Sequence, residues 1–128
     1  QQARSGALPA NTIPKAEAAA AAAMASHKKA IAAGVKVAFG TDTGVSKHGD
    51  NAKEFALLVK AGMTPAAAIR AATVSAADAL GRDDLGAIVP GKRADIIAVD
   101  ASPLEDVTRL EHVAFVMHHG VVAQTPAP

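Results

Sequence analysis

Asp42 is the residue of this chain whose type and position are best suited to chemistry. It lies in the sequence Gly-Thr-Asp-Thr-Gly, directly after the short apolar run of residues 35–39. Such a run predicts a buried strand of a parallel sheet, and catalytic residues of these sheets collect where the strands end. The same residues also suit a simple turn or a helix cap, because Asp and Gly favour both. The local sequence leaves these two interpretations open.

The segments that must position Asp42 predict alternating helices and strands, as in an α/β protein. Pro14 suits the first turn of a helix over residues 15–33, and Gly34 suits its end. After Asp42, further helical segments are predicted over about 51–61, 65–72 and 73–80.

The last third of the chain predicts short strands with no helices between them. The four segments are residues 85–91, 94–100, 113–117 and 121–123. They predict antiparallel pieces of a separate small sheet. His118 and His119 would then point to opposite faces of a strand and could not share a metal ion. Asp95, at the start of a strand, is expected to be structural.

The composition of the 128 residues limits the class of protein. The net charge of +1 argues against a general nucleic-acid or anionic-membrane surface. The absence of cysteine excludes a disulfide scaffold and a cysteine-based zinc site, but leaves open whether the protein is cytoplasmic or exported. No run of about 18 strongly apolar residues predicts a membrane span.

The order of motifs over roughly residues 14–123 resembles the metal-dependent amidohydrolases, in particular their imidazolonepropionase-like and Xaa-Pro dipeptidase branch. The motif around Asp42 is similar to the end of their eighth barrel strand. The other similar motifs are His-Gly-Asp-Asn at 48–51, Ala-Gly-Met-Thr-Pro at 61–65, Leu-Gly-Ala-Ile at 85–88 and Gly-Val-Val at 120–122.

This resemblance implies an α/β fold: the C-terminal portion of a (β/α)8 TIM-like barrel over residues 1–81, and part of a small β-sandwich over residues 82–128. It implies a hydrolase in which metal-activated water cleaves an amide bond of a dipeptide, an Xaa-Pro substrate or an N-acyl amino acid, as a dipeptidase or carboxypeptidase does. Asp42 would be a ligand of one or two zinc ions and the catalytic proton shuttle. His48, Thr43 and Gly44 would bind substrate.

The resemblance also implies metal ligands that cannot be placed in these residues: a His-x-His pair, a carboxylated lysine or acidic bridge, and two single histidines. A catalytic zinc usually takes three protein ligands and a water, so Asp42 alone cannot hold it. We therefore expect the remaining ligands to lie outside this chain, and the chain alone to be inactive. The first residue, Gln1 rather than Met, also predicts a fragment or a processed product.

Two other functions stay open on the sequence alone. The alanine-rich composition and the missing ligands fit a non-catalytic assembly or binding module. The same kind of site also fits an amidohydrolase-type deaminase, since a fold does not fix a function. As partners we expect a small-molecule or dipeptide substrate, the remainder of the hydrolase chain and a homo-oligomer, with neither nucleic acid nor membrane.

Overall fold

The computed structural model describes residues 9–42 and 48–126. These residues fall into two compact units, one up to Val35 and one from Lys36 onward. In chain order the elements are α1 (Ile13–Ala32), α2 (Lys53–Lys60), α3 (Pro65–Ala72), α4 (Val74–Ala79), β1 (Ile96–Ala98), β2 (Phe115–His118) and β3 (Val121–Gln124). Short 3₁₀ helices cover Ala10–Thr12 and Val107–Glu111.

The first unit consists mainly of α1, a helix of 20 residues. Pro14 lies in its first turn, where a backbone N–H would have no helical acceptor. Gly34 follows its end with a φ of 72°, the left-handed conformation typical of this position. Alanine favours helix, and α1 is helical although none of its residues is buried. None of the described helices has the length and hydropathy needed to cross a bilayer.

Three short helices of the second unit pack together through small side chains. Helix α3 contacts both α2 and α4. Its Ala68 and Ala71 are buried, as are Leu58 of α2 and Ala77 of α4. The distance between packed helices depends on the side chains at the contact, so these methyl groups allow the backbones to approach closely.

The ends of these helices follow the local sequence signals. Thr64 caps α3, because its Oγ1 accepts a hydrogen bond from Ala67 N at 3.1 Å, and Pro65 is the first helical residue. Gly62 and Gly81 follow α2 and α4 with φ values of 116° and 64°. The helices predicted downstream of Asp42 are therefore confirmed, with bounds shifted by a few residues at most.

The 3₁₀ helix Val107–Glu111 packs against α2. Its Val107 and Leu110 are buried and complete the small apolar core of the helices. Asp106 begins it: the Oδ1 atom accepts hydrogen bonds from Thr108 N at 3.0 Å and from Thr108 Oγ1 at 2.6 Å. This cap sets the start of the 3₁₀ helix.

The strands β1, β2 and β3 form one antiparallel sheet in that order. Ile97 pairs with Val116, and His118 pairs with Val121 across a tight turn. Strand β3 is an edge strand among the described residues, and all four of its residues are exposed. The predicted small antiparallel sheet is confirmed, whereas the β-sandwich and the division into residues 1–81 and 82–128 stay predictions.

Two predicted strands are wrong as far as the described residues extend. Residues 35–39 and 85–91 have no strand conformation and no paired neighbour. A strand exists only where another strand supplies its backbone hydrogen bonds. For residues 35–39 the described chain offers no such strand, and Phe39 N instead donates to Ala71 O of α3 at 2.9 Å.

Candidate functional site

The segment that ends at Asp42 contacts two helices. Besides the hydrogen bond from Phe39 N to Ala71 O of α3, the Phe39 ring packs against Phe55 of α2. The ring centroids are 4.6 Å apart and the planes are tilted by 32°. An aromatic pair of this kind contributes about 0.5–1.5 kcal/mol beyond the area that it buries. The residues before Asp42 therefore have a defined position.

Asn51 connects the residues on both sides of the candidate site. Its Nδ2 donates a hydrogen bond to Thr41 Oγ1 at 2.7 Å, and its Oδ1 accepts one from Gly49 N at 3.2 Å. Thr41 directly precedes Asp42, and Gly49 directly follows His48. One half-buried amide thus holds the two predicted site segments together. Sequence reasoning missed this link, because an amide ten residues from its partner gives no local signal.

Asp42 has an unusual backbone conformation for a residue with a side chain. Its φ is 44°, in the left-handed region that Asp and Asn tolerate better than most residues do. Its side chain is exposed, and it forms no hydrogen bond or ion pair with the described residues. Of the predicted substrate-binding residues, His48 is exposed in a turn, while Thr43 and Gly44 lie outside the described residues.

The surroundings of Asp42 fit one ligand of a metal site but not a complete site. A catalytic zinc usually takes three protein ligands. Within residues 9–42 and 48–126, the cluster of three metal-ligating side chains does not include Asp42. Its exposed carboxylate is of the right chemical type, yet no reaction step through a metal follows from these residues alone.

That cluster lies elsewhere, at the tip of the small sheet, and corrects one prediction. It consists of Asp95, His118 and His119, whose ligand atoms all lie within 4.8 Å of one another. The prediction that the two histidines point apart is wrong, because β2 ends at His118 and His119 has a φ of 51°. Their ring centroids are 4.4 Å apart. The prediction also failed to include Asp95 in a site.

The carboxylate of this cluster is held by several polar groups. His119 N donates to Asp95 Oδ1 at 2.7 Å, and this hydrogen bond lowers the pKa of Asp95 below its usual value, against the opposing effect of desolvation. The positive charge of Arg93, whose Nη2 lies 3.5 Å from Oδ2, lowers the pKa of Asp95 further. Asp95 is therefore ionised at neutral pH.

Residues 2–125 match the amidohydrolase family. The chain belongs to this family. The predicted resemblance is confirmed, and the family is in general metal-dependent.

Three relatives illustrate the range of enzymes to which this amidohydrolase chain is similar. A solved Xaa-Pro dipeptidase with methionine bound in its active site is 43% identical, with a TM-score of 0.84 over 91% of this chain and 29% of the other. The imidazolonepropionase of Deinococcus deserti is 43% identical over 83 residues, which cover 62% of this chain and 21% of that protein. The adenine deaminase of Cereibacter sphaeroides is 41% identical over 83 residues, 65% of this chain and 14% of that protein.

The amidohydrolase chain thus spans less than a third of each of these relatives. The relatives are hydrolases or deaminases, which supports an enzyme-derived chain over a non-catalytic module. The solved neighbours have TIM-barrel-type folds, and the helices and small antiparallel sheet seen here are consistent with that class.

Proposed function

We propose that this amidohydrolase chain is part of a metal-dependent hydrolase that cleaves the amide bond of a dipeptide, an Xaa-Pro substrate or an N-acyl amino acid. The observation that carries the proposal is the placement of Asp42. Asp42 has an exposed side chain and a left-handed backbone conformation. The segment before it is hydrogen-bonded to α3 through Phe39 N and to the next loop through Asn51. Catalysis benefits when a reacting group is held by such a rigid supporting shell.

In this proposal Asp42 is a ligand of zinc and also moves the proton. A bound divalent metal would lower the pKa of water to about 7 and polarise the scissile carbonyl. Asp42 would accept the proton of the attacking water and return it to the departing amine, which requires a carboxylate within hydrogen-bond distance of both. His48, Thr43 and Gly44 would contact the substrate beside it.

The proposal also assigns the architecture. Residues 1–81 would be the last part of the barrel, and residues 82–128 part of the β-sandwich. The exposed edge strand β3 supports this assignment, because unpaired edges of a sheet are usually covered by another element. The remaining metal ligands would come from the rest of the hydrolase, so the 128 residues alone would be inactive. A homo-oligomer remains our expectation for the complete protein.

The experiment is an Asp42→Asn substitution in the complete polypeptide that carries these residues. We expect release of amino acid from Xaa-Pro dipeptides and N-acyl amino acids to fall about 10²–10⁴-fold, the usual contribution of a positioned acid–base group. Asp100→Asn is the matched control, since Asp100 is also exposed and lies close to the small sheet instead. Activity of Asp42→Asn within tenfold of the control would refute the proposed role.

A second candidate function is deamination, which the similarity to an adenine deaminase specifically favours. Both reactions need water attack at a carbon that bears nitrogen, and both need a proton for the leaving nitrogen. They differ in the product. Ammonia released from amino-purines or cyclic amidines, with no amino acid released from dipeptides, would select the deaminase. The reverse result would select the peptide hydrolase.

A further inference from the structure

The hairpin between β2 and β3 has a turn that brings two imidazoles together. Its two central residues, His119 and Gly120, have φ values of 51° and 76°. Positive φ at both positions is the pattern of a type I′ turn, which matches the twist of a β-hairpin. Because the left-handed residue interrupts the alternation of a strand, the His119 ring returns to the side of His118. The two ring planes meet edge to face, at 66°.

The backbone of the neighbouring strand holds a carboxylate against this pair. Asp95 directly precedes β1, and its Oδ1 lies 3.0 Å from His118 Nδ1. The same oxygen accepts the hydrogen bond from His119 N, and Gly120 N donates to Ala94 O at 3.0 Å. Two hydrogen bonds between the hairpin tip and residues 94–95 thus fix where the three side chains meet.

The distances are close to those of a metal site. Zinc binds histidine nitrogen and carboxylate oxygen at about 2.0–2.2 Å, so tetrahedral ligand atoms lie about 3.4 Å apart. The pair His118 Nδ1 and Asp95 Oδ1 is already near this value. The most distant pair is at most 4.8 Å apart and would need to approach by about 1.4 Å. The side chain of His118 is 70% exposed, which leaves room for this rotation.

The ligand types and charges select the kind of ion. Two imidazoles and one carboxylate suit zinc and similar first-row divalent metals, whereas magnesium and calcium prefer oxygen ligands throughout. Arg93 lies next to Asp95 Oδ2, whereas Oδ1 contacts His118 and His119, and the charge of Arg93 opposes a bound cation. We therefore expect this positive charge to lower the affinity for zinc.

We propose that Asp95, His118 and His119 form a zinc site at the tip of the β2–β3 hairpin. Three protein ligands leave a fourth position for water or for a side chain of another molecule. A bound ion connects the start of β1 to the hairpin, and it stabilises the sheet increasingly as the free zinc concentration rises above the dissociation constant.

The test compares the zinc content of the complete polypeptide with that of a variant carrying His118→Gln and His119→Asn. Asn is preferred at this position of a type I′ turn, so the variant retains the hairpin while it loses both imidazoles. His112→Gln is the control, because His112 is an exposed histidine outside the cluster. After chelation, each protein is dialysed against zinc at a free concentration well above the expected dissociation constant and is then analysed for metal per chain.

We expect the variant to hold one zinc ion fewer per chain than the wild type and the His112→Gln control. Any zinc at Asp42 is common to the three proteins, so the difference reports on the hairpin whether or not the proposed hydrolase function is correct. Equal zinc content in all three would overturn the site. As a second measurement, zinc but not magnesium should shift the imidazole nitrogen resonances of His118 and His119, and unshifted resonances would also overturn it.

Discussion

Gly86 packs so closely against α4 that a single methyl group should destabilise the protein. Its φ is 83°, and a Cβ placed on it would lie 2.9 Å from Thr73 O and 3.0 Å from Ala77 Cβ. Neither neighbour can move easily. Thr73 O accepts the hydrogen bond of Ala77 N at 2.9 Å, and Ala77 is buried in the helical core. We therefore predict that Gly86→Ala displaces the chain from α4.

The magnitude follows from two contributions. An alanine in the left-handed region costs about 1–2 kcal/mol. An extra methyl group in a packed contact costs about 1–3 kcal/mol more, so the free energy of unfolding should fall by about 2–5 kcal/mol. Gly91→Ala is the matched control, because Gly91 has a φ of 90° and a methyl group added to it would meet no described atom within 4 Å. The free energy of unfolding of Gly91→Ala should fall only by the cost of placing alanine in the left-handed region, about 1–2 kcal/mol.

The assay is urea unfolding of both variants, followed by far-ultraviolet circular dichroism. With a slope of about 2 kcal/mol per molar urea, the midpoint of Gly86→Ala should lie about 0.5–1.5 M below that of Gly91→Ala. Coinciding midpoints would show that the contact between Gly86 and α4 does not exist in solution, and the packing argument would be refuted.

Two further predictions concern acid stability and the site. The hydrogen bonds from Thr108 lower the pKa of Asp106 below 3.8, so its contribution to stability is present above that pH and is lost as the pH falls through the lower, folded-state value. The difference in unfolding midpoint between wild type and Asp106→Asn should therefore shrink between pH 5 and pH 3, and a constant difference would contradict this. Asn51→Ala should lower kcat of the complete enzyme about 2–10-fold, the equivalent of one hydrogen bond, while Asp50→Ala should not. Equal kcat values for these two variants would exclude a positioning role for Asn51.

The helices could be predicted because the residues that begin and end them are recognisable in the local sequence. Thr64 and Pro65 begin α3 through a cap that needs only neighbouring residues, and Gly62 and Gly81 end helices through their own backbone freedom. None of these signals depends on residues far away in the chain. The same holds for the turn at Gly120, which is why the small antiparallel sheet was also predicted.

The strands were predicted less well, because a strand depends on a partner that the local sequence does not specify. Residues 85–91 have the composition of a strand, yet Lys92 Nζ donates hydrogen bonds to Asp83 O at 2.7 Å and to Leu85 O at 2.9 Å. Arg93 N also donates to Asp84 O at 2.9 Å. These bonds close the segment into a loop, and no count of apolar residues would reveal them.

The two candidate sites also differ in how far the local sequence predicts them. Asp42 could be proposed because a glycine-flanked carboxylate after an apolar run is a local pattern, and the family resemblance implies a chemical role for that pattern. The hairpin cluster was missed because strand alternation was extended across His118 and His119, although Gly120 follows directly. A glycine at the second turn position favours positive φ at the residue before it, and alternation then no longer applies. Where two ligating residues precede such a glycine, the turn and not the strand decides whether their side chains meet.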